Sequence, residues 1–430
     1  MNRQPTPGAS EPGTSEPDSE PGASEPDSEP GISEPGEKSP QRTPWVLIAI
    51  VYLGGVAAAM SLGKFASVGP AVAGELGLSL SELGWVISAV VGVGAAVGLP
   101  AGYLVRRFGT ERSLITGLVL IAAASAASVW AGDFGWLLAA RGVEGTGYVL
   151  VTIACPALIL RLANERDRGT ALSIWATFVA VGIGVSTLGG GVLGSALGWR
   201  GWIGLIAALT LAMALVVWVR LPRGSGRQAA AGPVPRAGAL KWPAALAVAF
   251  CLGALVTIPV IVLLPTLLIE EYGRTATAAG AVTSVISLLS ALGGLAVGVL
   301  LRRGTPVRVL ALVGLLTVPA AWLMYGGAAS LTAAQVGAAI ISMENGFLGA
   351  LVFAALPMVL DRLDHADVGN GVVAQAGSLG SLLGPPMFGL VVAGPGFQAL
   401  VPVIAVGMVA AVGALLLVGG RAARPSPSTD

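Results

Sequence analysis

The sequence predicts an all-α polytopic membrane protein, with twelve transmembrane helices in two pseudo-symmetric six-helix bundles. Three observations carry this expectation. Hydrophobic residues make up 54% of the 430 and charged residues only 11%, against about 25% charged in a soluble domain. The apolar residues fall into runs long enough to cross about 30 Å of hydrocarbon as helices. The second half of the chain also echoes the first at an offset of 196 to 201 residues.

The chain opens on a segment of different composition. Residues 1–43 contain SEPDSEPG twice, at 15–22 and 24–31, and have no apolar stretch of the kind a signal peptide needs. Such a segment cannot bury enough surface to offset its ordering entropy, so a disordered acidic Ser/Glu/Pro/Gly tail is expected. The first six apolar runs are 45–69, 83–105, 112–131, 135–160, 171–194 and 201–220. The second six are 243–268, 277–301, 307–326, 332–359, 370–394 and 398–419. The expected organisation is a tail at 1–43, a bundle at 44–220, a polar linker at 221–242, a second bundle at 243–420 and a disordered end at 421–430. Membrane β-strands are excluded, because the runs are too long and do not alternate. Pro259 and Pro265 predict a bent or broken seventh span, and Gly384-Pro385-Pro386 a bent eleventh.

Charge sets the orientation. With the tail placed inside, 19 of the 24 Lys and Arg fall in cytoplasmic segments near the membrane, Arg3 lies in the distal tail, and only Arg200 and Arg274 fall in outer loops. Basic residues favour the cytoplasmic side, so both termini are expected in the cytoplasm, with the protein in the plasma (inner) membrane. The net charge of +1 and the scatter of arginines over span ends argue against a nucleic-acid partner. Cys155 and Cys251 lie in apolar runs and read as buried free thiols. His365 falls in an acidic loop, where solvation is the default. Metal-ligand spacing, a phosphate-binding loop and a nucleophile triad are all missing. The expectation is therefore no enzyme, no metal and no cofactor.

The repeat is specific. GYLVRRFGTERSL from Gly102 matches GVLLRRGTPVRVL from Gly298, which carries Arg302 and Arg303. RGVEGTGYVLVTIACP from Arg141 matches SMENGFLGALVFAALP from Ser342, aligning Gly145 with Gly346 and Glu144 with Asn345. Asp167 and Gly169 align with Asp367 and Gly369. Repeated halves of this kind are a mark of secondary transporters, whose site lies between the repeats.

These residues carry a family resemblance. The loop after span two is similar to the first motif of the major facilitator superfamily, Gly-x-x-x-Asp-basic-x-Gly, at Gly102, Arg107 and Gly109. Span four resembles that family's Arg-x-x-Gln-Gly motif at Arg141 and Gly145, with Glu144 in place of Gln. GGGVLGSALGWRGW looks like the family's glycine-rich fifth helix and the Gly-Trp-Arg turn after it. LGK…GP in span one, with RGVEGTGY, is similar to the bacterial cyanate and nitroimidazole carriers. The resemblance implies alternating access. It also implies a gating role for Gly102, Arg106, Arg107 and Gly109 and, through the repeat, for Gly298, Arg302 and Arg303. Two departures stand out. Arg106 occupies the acidic position of the first motif, and Leu188-Gly189-Gly190-Gly191 lacks the proline of drug antiporters.

Four ionisable groups fall well inside spans: Lys64, Arg141, Glu144 and Glu344. Each costs about 2.5–3.5 kcal/mol at a span centre on insertion scales, which argues for pairing, a wet cavity or function. Arg141 and Glu144 share one helix face. They form either an internal salt bridge that orients span four or a cavity face, with Arg141 holding an anion and Glu144 carrying a proton. Lys64 either snorkels outward or binds substrate. Glu344 either partners Arg141 or Lys64 or carries a proton. Asn345 and Gln375 either hydrogen-bond between helices or contact substrate.

The expected function is secondary active transport of a small solute, an organic or inorganic anion, by alternating access coupled to protons. The expected partners are that substrate, protons and the lipid bilayer, with the protein acting as a monomer. The alternative is proton-antiport efflux of drugs or metabolites. A non-transporting receptor or scaffold is a remote third, marked by unchanged flux in Glu144→Gln and Arg141→Ala.

Overall fold

The computed structural model describes residues 43–422 apart from 66, 222–234, 236 and 327–329. The acidic tail, most of the linker and the C-terminal end lie outside the described residues. Among those described, the regular structure is helical: α1 (Trp45–Gly63), α2 (Gly69–Leu76), α3 (Leu80–Phe108), α4 (Thr110–Ser128), α5 (Phe134–Leu162), α6 (Arg168–Trp175) and α7 (Phe178–Arg220). The second half gives α8 (Lys241–Glu270), α9 (Ala276–Arg302), α10 (Val307–Val313), α11 (Thr317–Tyr325), α12 (Leu331–Val359), α13 (Ala366–Ala393) and α14 (Leu400–Ala422). Among the described residues, eleven helical segments are long and apolar enough to cross a membrane. The twelfth expected span is α13, which packs along α3 and α8.

Matching caps show the repeat in three dimensions. Ser79 and Glu82 form a reciprocal capping box at the start of α3, and Thr275 caps α9 196 residues later. Asp133 caps α5 through Trp136 N, and Ser330 caps α12 through Ala333 N. Each polar side chain meets a backbone N–H that a helix start leaves without a partner. These four helices then run to a common face, where α3, α5 and α9 end on Arg106 and Arg107, Arg161 and Arg302. Cations at helix C-termini complement the helix dipole. This is called the arginine-rich face below.

Several expectations are corrected. The first span stops at Gly63, short of 69. Its last carbonyls are met by side chains, and the chain turns through Lys64 and Phe65 into α2, started by Pro70. Spans five and six are joined at Gly198, whose φ of 70° and ψ of 169° turn the chain sharply. Span nine is interrupted by a 3₁₀ turn at Gly314–Leu316. Pro319 has no N–H for the Leu315 carbonyl four residues back, and its ring crowds that oxygen. By contrast, α8 continues through Pro259 and Pro265, and α13 through Pro385 and Pro386, so neither helix is broken there. His365 is buried with neither ring nitrogen hydrogen-bonded. Cys155 is buried, but Cys251 only partly so.

The cores follow the two halves. Val51, Leu114, Leu118, Ile121 and Leu158 centre one cluster in the first bundle. Val260, Leu264, Ile341, Ile404 and Met408 centre one in the second. The most enclosed span is α5, with 78% of its central stretch buried against 22% for α3. The charges on α5 therefore face protein.

Candidate functional site

The end of α1 leaves carbonyls without helical donors, and the site is built on them. Arg141 Nη1 donates to Ser61 O at 2.8 Å, and Trp202 Nε1 donates to Lys64 O at 3.0 Å. Arg141 also reaches α3, with Nε to Val86 O at 2.8 Å and Nη2 to Ile87 O at 3.3 Å. One carboxylate serves two cations. Glu144 pairs with Arg141 through one oxygen and with Lys64 through the other. Ser125 Oγ of α4 donates to that second oxygen at 2.5 Å and accepts from Lys64 Nζ at 2.9 Å. The Phe65 ring lies 5.3 Å from Lys64 Nζ and 5.2 Å from Arg141 Cζ, within cation–π range. Lys64, Phe65, Ser125, Arg141 and Glu144 are all 0% exposed. Lys64 therefore does not snorkel, and the network holds one more cation than anion.

The second bundle keeps the geometry without the charge. Ser342 aligns with Arg141, and its Oγ donates to Ile286 O at 2.7 Å, 200 residues after the Val86 carbonyl that Arg141 reaches. Asn345, aligned with Glu144, hydrogen-bonds Thr257 on α8 at 2.8 Å. Glu344 is not brought to the other three charges. It is buried in the second bundle, with Oε1 3.3 Å from where a Cβ on Gly314 would lie, and Met408 and Val412 against the same glycine. It pairs with neither Lys64 nor Arg141.

Gln375 works between bundles. Its Nε2 donates to Ala95 O and its Oε1 accepts from Leu99 N, both at 3.0 Å. Pro100 leaves Ala96 O without its usual helical donor, and Gln375 Nε2 lies 3.5 Å from that oxygen as well. A Cβ on Gly98 would come within 2.7 Å of Gln375 Cα, and one on Gly102 within 2.9 Å of Asp367 O. The two glycines let α3 and α13 touch.

Charged contacts at the arginine-rich face continue that seam. Arg106, in the acidic position of the loop motif, is 8% exposed and donates to Asp364 O at 2.5 Å. The acid comes from the other bundle, where Asp367 accepts from Arg161 Nη2 at 2.7 Å. The repeat supplies a crossed counterpart. Arg302 lies 3.5 Å from Asp167, which also accepts from Thr43 at 2.7 Å. Gly298 packs on α6, where a Cβ would lie 3.0 Å from Ser173 Cβ. Gly109, at φ 91°, makes the α3–α4 turn. Arg107 and Arg303 are exposed, with Arg107 over the Phe108 ring at 6.0 Å.

Nothing in the sequence marks Ser125, Phe65 or Arg161 as working residues, whereas the aligned pair Asp167 and Asp367 points to the crossed contacts.

Residues 51–385 match the family model described as Major Facilitator Superfamily. The chain is 29% identical over 385 residues to the 3-(3-hydroxy-phenyl)propionate transporter of Escherichia coli (strain K12), covering 84% of this chain and 90% of that protein. It is 33% identical over 207 residues to the chloramphenicol resistance protein of Streptomyces lividans, 46% of this chain and 52% of that one. The match thus spans about half the length of that relative. The crystal structure of the human organic anion transporter MFSD10 (TETRAN) superposes with a TM-score of 0.71 over 87% of this chain and 100% of that one, at 17% identity. At that identity the likeness concerns the fold.

Proposed function

Because the chain belongs to the Major Facilitator Superfamily it is an integral membrane secondary transporter, and we propose that it carries a small organic anion together with a proton. The observation that carries this reading is the single carboxylate shared by two buried cations. While Glu144 is ionised, it occupies Lys64 and Arg141. A proton on Glu144 frees both cations, and an arriving carboxylate can then take its place. An unpaired buried charge is strongly unfavourable, so proton and anion are favoured together and disfavoured singly. The hydroxyphenylpropionate transporter relative, matched along most of both chains, supports an aromatic or similar carboxylate as cargo.

The network is sealed here, so cargo entry requires the turn at Lys64 and Phe65 to move. The seam through Gly98, Gly102, Gln375 and Asp367 is the inner gate, closed in this conformation, with the arginine-rich face toward the cytoplasm of the inner membrane. Glu344 is a second proton site in the other bundle, and Asn345 lines the cargo path beside Thr257.

Proteoliposomes with an inward proton gradient test this with small aromatic and aliphatic carboxylates. Wild type should accumulate a carboxylate against its gradient. Glu144→Gln should abolish accumulation and retain exchange of internal for external anion, because its network is permanently in the released state. Unchanged gradient-driven accumulation in Glu144→Gln would sink the coupling. Efflux of cationic dyes with no carboxylate movement would favour the exporter reading, which the chloramphenicol resistance relative supports over part of the chain.

A further inference from the structure

A cleft of about 340 Å³ opens on the arginine-rich face where the two bundles meet. Arg166 and Thr170 line it from the first bundle, and Arg302 and Arg308 from the second. Arg302 shares Asp167 at 3.5 Å. Arg166 and Arg308 have no hydrogen bond or ion pair among the described residues, and the one acid in the lining is Glu165. Thr170 Oγ1 is buried and has no hydrogen-bond partner. A buried hydroxyl left unpaired is unfavourable, and Thr170 lies in the wall of the cleft.

We propose that this cleft binds the phosphate of an anionic phospholipid headgroup. Arginines of both bundles line the cleft, and clustered guanidinium groups suit an anion with several acceptor oxygens. The apolar side of the lining, Leu301 and Met358, adjoins exposed apolar surface. Met358 is 47% exposed and Val309, beside Arg308, is 51% exposed. Basic pockets between transmembrane helices at headgroup level recognise such lipids. The ligating groups belong to both bundles, so an occupied cleft ties them together at this face. The lipid therefore favours the conformation closed here and regulates the carrier without entering the cargo path.

The test uses the full chain in phosphatidylcholine nanodiscs with and without phosphatidylglycerol, carrying paired spin labels at Val219 and Val309 on the two bundles. Phosphatidylglycerol should raise the short-distance population. In Arg166→Gln/Arg308→Gln it should need about thirtyfold more lipid for the same shift, because two basic residues near the surface each contribute on the order of 1 kcal/mol. Arg166→Lys/Arg308→Lys, which keeps the charge, should recover part of the response and show that the loss is not misfolding. Absence of any phosphatidylglycerol effect, or an equal effect in the Gln variant, would overturn the site. A further arm adds inorganic phosphate to phosphatidylcholine discs. The same shift there would overturn the lipid as the source and leave a soluble phosphate in its place.

Discussion

Glu144 bears the electrostatics of the first bundle. It pairs with both Arg141, one turn away on its own helix, and Lys64 from the end of α1, with Ser125 bridging. Removing one partner of a buried ion pair costs about 3–5 kcal/mol, because the other charge stays buried. Glu144→Ala strands two cations, whereas Lys64→Ala leaves Glu144 still paired with Arg141. Thermal unfolding in detergent should therefore show a much larger loss for Glu144→Ala than for Lys64→Ala. Equal losses would mean that the pairs act independently. Half of this cluster is legible in the sequence, since Arg141 and Glu144 at i and i+3 must share a face. The Lys64 contact is not. It depends on α1 ending at Gly63, which an uninterrupted apolar run conceals. Glu344 is the complementary case. Its depth is legible, but its direction, into Gly314 and α14, depends on how α12 is rotated against its neighbours.

Among elements, the joints decide more than the spans. Gly198 takes φ 70° and ψ 169° between the two arms of α7, a region that side chains other than hydrogen rarely adopt. Gly198→Ala should cost about 1–3 kcal/mol, read as a lower unfolding temperature. The turn is clamped from outside. Trp199 Nε1 donates to Glu75 Oε2 at 2.6 Å, Arg200 pairs with Glu75, and the Arg200 guanidinium stacks on Trp199 at 4.1 Å. The indole hydrogen bond, then Arg200, hold the Glu75 carboxyl below its ordinary range. A lowered folded-state pKa means that the clamp contributes fully above the ordinary carboxylate value. Its contribution is lost as pH falls through the lowered value. Hydrogen exchange across Gly69–Leu76 should stay slow at pH 5 and quicken only below the usual carboxylate range. Quickening between pH 7 and 5 would contradict it.

At the scale of the whole molecule, two crossed contacts join the bundles on one face, Arg161 with Asp367 and Arg302 with Asp167. They are unequal. Asp367 is 2% exposed and its bond is 2.7 Å, whereas Arg302 is 53% exposed at 3.5 Å. An exposed, screened pair contributes about 0–1 kcal/mol, whereas a buried charge-assisted hydrogen bond contributes about 1.5–3 kcal/mol. Asp367→Asn should therefore widen the distance distribution between labels on α7 and α10 clearly, and Arg302→Gln hardly at all. A larger effect from Arg302→Gln would reverse the assignment of the main latch.

The sequence by itself determined the class of molecule, the number and order of its apolar helices and the doubling of its plan. Those properties follow from local quantities: the length of apolar runs, the residues at their ends, and motifs that recur along one dimension. Only the tertiary structure decided that Lys64 shares a carboxylate with Arg141, that Glu344 stands apart, and that Arg106 and Gln375 fasten one bundle to the other. Which side chains meet depends on where helices break and how they rotate about their axes. Those choices are set by packing between segments far apart in the chain, which no single window of sequence contains.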